Sequence, residues 1–179
     1  MNRILIIGCS GAGKSTLAQK MGKRLRLPVV HLDAHFWLPG WVECPRAEFD
    51  EKIHALISQP EWIIDGNYGR MLNMRIQAAD TVIFLDRPRL ICLWNCLKRI
   101  VSHYGKNRPD MGPGCPEKID WEFLKWIWQF PGSSRNHVVK TINEYREGRS
   151  IYILKSRRSI TQFLTSLPDG RKKELNHEC

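Results

Sequence analysis

No apolar run in this 179-residue sequence approaches the ~18 residues that a membrane-spanning helix needs. Residues 1–8 carry one basic side chain and too short an apolar stretch for a secretory signal. The six cysteines include no C-x-x-C pair. Cys92 and Cys96, four apart, read as buried thiols on one helix face, and a reducing, cytoplasmic setting is expected. Internal repeats, low-complexity tracts and long linkers are missing, as are a helix-turn-helix signature, a zinc finger and a ribonucleoprotein aromatic motif. Acidic residues are scarce, 18 Asp and Glu against 28 Lys and Arg, which gives a net charge of +10. Such an excess favours phosphate-bearing partners: nucleotides, nucleic acid or anionic lipid.

What is present reads as one domain. Short apolar runs at 4–7, 29–32, 62–64, 82–85 and 151–154 predict buried parallel strands. Helical patterns lie between them, marked by Leu17, Ala18, Met21 and Leu25, by Phe49, Ile53, Leu56 and Ile57, and by Leu90, Leu93, Trp94, Leu97 and Val101. This alternation predicts an α/β fold with a parallel sheet covered on both faces. The pattern breaks over 102–134, where a polar, basic, Gly- and Pro-rich stretch is followed by the Trp-rich helix "WEFLKWIWQF"; the segment reads as a lid. Residues 168–179 read as a polar tail.

"ILIIGCSGAGKST" carries the chemistry. Residues 8–15 satisfy G-x-x-x-x-G-K-[ST], directly after an expected strand and opening an expected helix. The backbone of Gly8, Cys9, Ser10, Gly11, Ala12, Gly13, Lys14, Ser15 and Thr16 is expected to cradle nucleotide phosphates. Lys14 would reach the β- and γ-phosphates, and the Ser15 hydroxyl would complete the shell of a Mg²⁺ ion. The absence of N-K-x-D tilts the nucleotide towards ATP. For the acidic partner of Mg²⁺ the candidates are Asp65, which Gly66 follows at a strand end, and Asp86.

The second expected strand runs into "HLDAHFWLPGW". Strand carboxyl ends share one crevice in open parallel sheets, so Asp33 is expected to face the phosphate loop and to activate an acceptor hydroxyl. His35 is a second candidate base. Phe36, Trp37 and Trp41 could wall an acceptor or simply close the core. In "IIDGNYGR", Asn67, Tyr68 and Arg70 are placed at the rim; Arg70 could clamp an anionic acceptor or make a surface ion pair. Of the basic residues in and around the lid, Arg108 is expected to reach the transferring phosphoryl group, with Arg99 and Arg135 as further candidates.

With these motifs in place the sequence resembles adenylate-kinase-like P-loop proteins. More closely, "HLDAHFWLPGW", "WIIDGNYGR" and "RPDMGPGCPEKIDWEFLKWIW" resemble the bacterial topology modulation proteins, kinase-like ATPases, over nearly the whole chain to about Leu167. The resemblance implies a three-layer P-loop fold with a five-stranded parallel sheet in 2-3-1-4-5 order, an ATP site at 8–16, a mobile lid and an association with DNA supercoiling. The acceptor segment 33–70 departs from adenylate kinases, so AMP is not carried over as acceptor. The lone Cys115 excludes the four-ligand zinc site of some of their lids. The leading expectation is a kinase transferring the ATP γ-phosphoryl to a small-molecule acceptor held by Asp33, His35, Trp37 and Arg70. The alternative is an ATP-gated, nucleic-acid-associated ATPase, and a degenerate scaffold is the third.

Overall fold

A computed structural model describes residues 1–168; all but the first residue of the expected tail lies outside them. The sheet is built from β1 (Arg3–Gly8), β2 (Val29–His31), β5 (Trp62–Asp65), β6 (Thr81–Leu85) and β7 (Ser150–Leu154), and a small hairpin from β3 (Trp37–Leu38) and β4 (Val42–Glu43). The five strands lie in the order β2-β5-β1-β6-β7, all parallel. Counted without the hairpin, this is the 2-3-1-4-5 order. The helices are α1 (Lys14–Leu25), α2 (Leu32–Phe36), α3 (Arg46–Ile57), α4 (Leu72–Ala78), α5 (Arg89–His103), α6 (Trp121–Gln129), α7 (Ser134–Glu144) and α8 (Arg157–Ser166), with a 3₁₀ turn at Gly69–Met71. Among the described residues no helix is long and apolar enough to cross a membrane.

Strand period decides the layers. In β1, Ile4 and Ile6 join the core on one face, with Leu17, Met21, Cys92 and Ile127. Leu5 and Ile7 join the core on the other, with Phe49, Ile53, Leu72 and Val138. Side chains at alternate strand positions point to opposite faces, so a strand apolar at every position must be covered twice. The register pairs Ile6 with Asp65, His31 with Asp65 and Gly8 with Leu85. The strand ends carrying the phosphate loop, Asp33 and Asp65 therefore meet at one edge of the sheet.

One element differs from the sequence reading. On α5 the expected stripe is largely outside: Leu90, Trp94 and Val101 are 65%, 59% and 81% exposed, and Leu93 is only partly buried. The buried stripe is Cys92, Cys96 and Ile100. The reason is close approach. A Cβ on Gly11 would lie 2.1 Å from the Cys92 carbonyl oxygen, so α5 rests its backbone on the phosphate loop and only small side chains fit there. Within 102–134 the expected Trp-rich helix forms as α6, and Leu124, Ile127 and Phe130 enter the core. The irregular part is 104–120.

Candidate active site

The phosphate loop leaves β1 at Gly8, whose φ of 149° and position against Leu85 exclude a side chain: a Cβ would meet the Leu85 carbonyl oxygen at 2.6 Å. Gly13, at φ 99°, caps α1 without a side-chain hydrogen bond, which leaves the first N–H groups of the helix free to face an anion. Lys14 Nζ donates to the Cys9 carbonyl at 3.1 Å, folding the ammonium over the loop. Asn95 Nδ2 donates to Gly11 O at 2.9 Å, and Gly8 N donates to Asn67 Oδ1 at 3.1 Å. Cys9 offers its backbone only. Its thiol is buried beside Cys92, whose hydrogen bond and burial push it well above the usual thiol range. Gly11→Ala is expected to cost about 1–3 kcal/mol, through the clash with α5 and a φ of 75°. For a chain of this size that lowers Tm by about 3–10 °C. A thermal melt with and without MgADP checks it, with loss of the MgADP-induced stabilisation expected as well.

One cavity of about 820 Å³ opens beside the loop and is lined by Ser10, Lys14, Asp33, Trp37, Trp41 and Arg108 among others. Asp33 stands in the first turn of α2, and the Tyr68 hydroxyl donates to its Oδ1 at 2.7 Å. Burial and the Asp33 charge push the Tyr68 phenol far above its ordinary value, so it stays a donor. Its ring packs on Phe36 and Phe49, with centroids 4.8 and 4.9 Å away. Phe36 thus belongs to the core. Trp37 and Trp41 line the cavity, 5.5 Å apart at 66°. His35 does not line it; burial and Lys52 push its pKa down, which keeps the ring neutral.

Asp65 is 3% exposed. His31 Nδ1 lies 2.9 Å from its Oδ1, and its Oδ2 is buried without a partner. Burial would keep His31 neutral, but the Asp65 hydrogen bond and charge, backed by Asp110 and Asp33, raise its pKa. Asp110 closes this group. Burial opposes its ionisation, yet Arg108, a hydrogen bond with Ser15 and His31 hold its carboxyl below the usual range. Asp86 is occupied elsewhere: Arg135 grips both its oxygens at 2.8 Å and lowers its pKa.

Arg70 is not at the cavity. It is 53% exposed and forms a two-pronged pair with Asp50 of α3. Arg108 is at the cavity, 7% exposed, with Nε 3.3 Å from Asp110 and Nη1 3.2 Å from Glu117. Glu117, itself buried, also holds Arg99 at 3.2 Å, and Arg99 reaches Ser10 Oγ at 3.5 Å. Segment 104–120 is fastened across the mouth. Gly40 N donates to Gly114 O at 2.7 Å, Trp41 Nε1 donates to Pro116 O at 2.9 Å, and Gly105 N donates to Glu117 O at 3.0 Å. Sequence reasoning missed Asp110, Glu117 and the fully buried Arg75, and named Tyr68 only as part of the rim. "RPDMGPGCPE" offered Asp110 and Glu117 as loop charges, and nothing in the sequence ties them to Ser15 or to two arginines.

No family model and no curated protein matches this sequence. Solved structures do. Shikimate kinase from Bacteroides thetaiotaomicron is 20% identical, with 98% of each chain covered and a TM-score of 0.50. Shikimate kinase from Acinetobacter baumannii, in complex with shikimate, is 13% identical over 99% of this chain and 95% of that one, with a TM-score of 0.54. A putative kinase from Chloroflexus aurantiacus is 15% identical over 92% and 96%, with a TM-score of 0.52. At these identities the likeness is one of architecture: the chain has the α/β fold of P-loop kinases, with its five-stranded parallel sheet.

Proposed function

We propose that this protein is a kinase that moves the γ-phosphoryl of ATP to a hydroxyl of a small-molecule acceptor. One observation carries the reading: Asp33, with Tyr68 donating to one of its oxygens, lines the same cavity as Lys14. A phosphate loop that only bound or hydrolysed ATP would not require a tethered carboxylate there. In the transfer, the acceptor oxygen bonds to Pγ, the bond from Pγ to the β–γ bridging oxygen breaks, and ADP leaves. The hydroxyl proton passes to the free oxygen of Asp33. Lys14, Arg99 and Arg108 supply positive charge where the phosphoryl group passes, and segment 104–120 serves as the lid that keeps water out.

Mg²⁺ fits the donor set. The Ser15 hydroxyl, Asp110 and the unpartnered Oδ2 of Asp65 are hard oxygen donors. Among the described residues no cluster of three or more His, Cys, Asp or Glu could hold an ion alone, so phosphates and waters would have to complete the shell. Ser15 would bind it directly, with Asp65 and Asp110 orienting its waters. Bound, it would neutralise charge on the β- and γ-phosphates. The kinship with topology modulation proteins rests on the sequence motifs and belongs to this proposal. Four of the basic residues that the sequence singled out, Arg70, Arg99, Arg108 and Arg135, are each held by a carboxylate of this chain.

The test is ADP release from MgATP, with a panel of acceptors and duplex DNA in separate wells and products read by mass spectrometry. Stimulation by a small molecule with a phosphorylated product is expected. Stimulation by DNA alone, with free phosphate, would sink the kinase. Lys14→Met is expected to lower turnover by about 10²-fold or more, since it removes the charge preorganised on the transferring group; unchanged turnover would remove Lys14 from the site.

A further inference from the structure

Resting on the kinase reading, we infer that the acceptor is an uncharged, hydroxyl-bearing molecule with a flat ring, of nucleoside size, rather than a phosphate- or carboxylate-bearing one. The argument is the placement of charge along the cavity. Its fixed cations gather at the phosphate-loop end. Lys14 folds onto the loop, Arg99 reaches Ser10 Oγ at 3.5 Å, and Arg108 is tied through Asp110 to Ser15. A polyphosphate on the loop would claim all three.

The other end has no such group. Arg70, the one arginine that its position near a strand end offered as a clamp, points away to Asp50. Arg75 is fully buried behind the 66–68 turn, and its guanidinium is spent on the Gly66, Asn67 and Tyr68 carbonyls. The basic side chains left among the lining residues on this side are Lys118, exposed with its ammonium 5.6 Å from the Trp41 ring, and the single imidazole of His137 beside Gly69. Carboxylates and phosphates are ordinarily recognised by bidentate arginine or by several fixed donors. An anionic acceptor with its hydroxyl on Asp33 would instead bring a second negative charge beside that carboxylate, in a partly desolvated space where the repulsion is poorly screened.

The remaining walls suit a ring. Trp37 and Trp41 make a corner, whereas Phe123 and Trp126 of α6, stacked at 6.0 Å and 11°, line the cavity towards the loop end, with the Arg99 guanidinium 5.9 Å from the Phe123 ring. The Trp37–Trp41 corner, with one carboxylate and its phenol donor, matches a molecule that stacks through a flat ring and presents a hydroxyl.

Matched pairs test this on the full chain: adenosine against AMP, thymidine against TMP, and pyridoxine against its 5′-phosphate. Each is titrated by tryptophan fluorescence with the phosphate loop saturated by a non-hydrolysable MgATP analogue, then incubated with MgATP and the products weighed. In at least one pair the uncharged member is expected to bind about 10-fold tighter or better, a tenfold ratio being the scale of one lost charge contact. Asp33→Asn is expected to narrow that gap by relieving the repulsion, Trp41→Ala to weaken the uncharged member, and Lys118→Ala to leave the preference in place. An anionic member binding as tightly or tighter, or no member of any pair binding, would overturn the inference. The two readings fail separately. Tight binding of the uncharged member without a phosphorylated product would remove the transfer and leave the ligand class standing. A phosphorylated product from the anionic members only would keep the kinase and remove the ligand class.

Discussion

Asp33→Asn is expected to lower acceptor-dependent turnover by about 10²–10³-fold while leaving MgATP affinity within about twofold. The substitution keeps the shape of the side chain, and its amide oxygen still accepts from the Tyr68 hydroxyl, which now lies 2.7 Å from Asp33 Oδ1. The α2 turn and the Tyr68 ring, packed on Phe36 and Phe49, therefore have no reason to move. What disappears is the lone pair that takes the proton. The lower part of the range for general-base catalysis applies, because phosphoryl transfer passes through a loose transition state in which little of the proton has left. Tyr68→Phe makes the complementary case. It leaves the carboxylate but removes its donor, and a lost charge-assisted hydrogen bond of about 1.5–3 kcal/mol corresponds to about 10–100-fold. Acceptor kcat/KM together with calorimetric titration of MgATP separates the two. If Asp33→Asn transfers at the wild-type rate, the base is another group, and His137, which lines the same cavity, becomes the residue to change. His35 would not, since it lies off the cavity and is held neutral.

The sequence made the strands and the phosphate loop readable for a common reason, that each is written in adjacent residues; the strand order came from the resemblance to adenylate-kinase-like proteins. Five short apolar runs bounded by turns and alternating with helical patterns read as buried strands, and G-x-x-x-x-G-K-S between the first strand and a helix reads as a phosphate loop. Features that depend on which of two neighbours comes closer were not readable. On α5, Leu90, Trp94, Leu97 and Val101 repeat as well as Cys92, Cys96 and Ile100. The choice falls to the cysteines because Gly11 lets α5 approach to a distance no large side chain tolerates. Arg70 stands five residues past the end of a strand, and only the fold shows Asp50 of α3 taking it from the rim. Arg108 did land at the cavity, but its hold on Glu117, shared with Arg99, joins residues from α5 and both ends of a loop. Single-sequence periodicity has no term for such a meeting.

Arg75→Met is expected to be strongly destabilising, at about 3–5 kcal/mol, because it strands several buried carbonyls. From the sequence Arg75 is an ordinary charge on a short helix, yet it is fully buried. Burial lowers its pKa to about 10, so it keeps its proton at neutral pH. Among the described residues it has no carboxylate partner. Its guanidinium donates instead to the carbonyls of Met71 at 3.2 Å, Gly66 at 2.9 Å and Tyr68 at 2.7 Å, and to that of Asn67. Those carbonyls belong to a turn that runs through φ 138° at Gly66 and φ 25° at Tyr68, a conformation it would not hold unaided. Methionine matches the length and apolar bulk of the arginine but strands several buried acceptors, each costing about 1–3 kcal/mol when left unmade. Against a total stability of about 5–15 kcal/mol the loss is a large fraction, and Tm is expected to fall by about 8–15 °C. Arg75→Lys keeps a charge but one donor point in place of a planar fork, so it should recover only part of the loss. The same turn carries Asn67, which accepts from Gly8 N, and Tyr68, which donates to Asp33. A folded Arg75→Lys enzyme should therefore also show weakened acceptor turnover, far from any contact with substrate. Thermal melts and acceptor kinetics on both variants decide it. A melting point within a few degrees of wild type for Arg75→Met would mean that water satisfies the turn, and that the site is held in shape by its backbone rather than by this arginine.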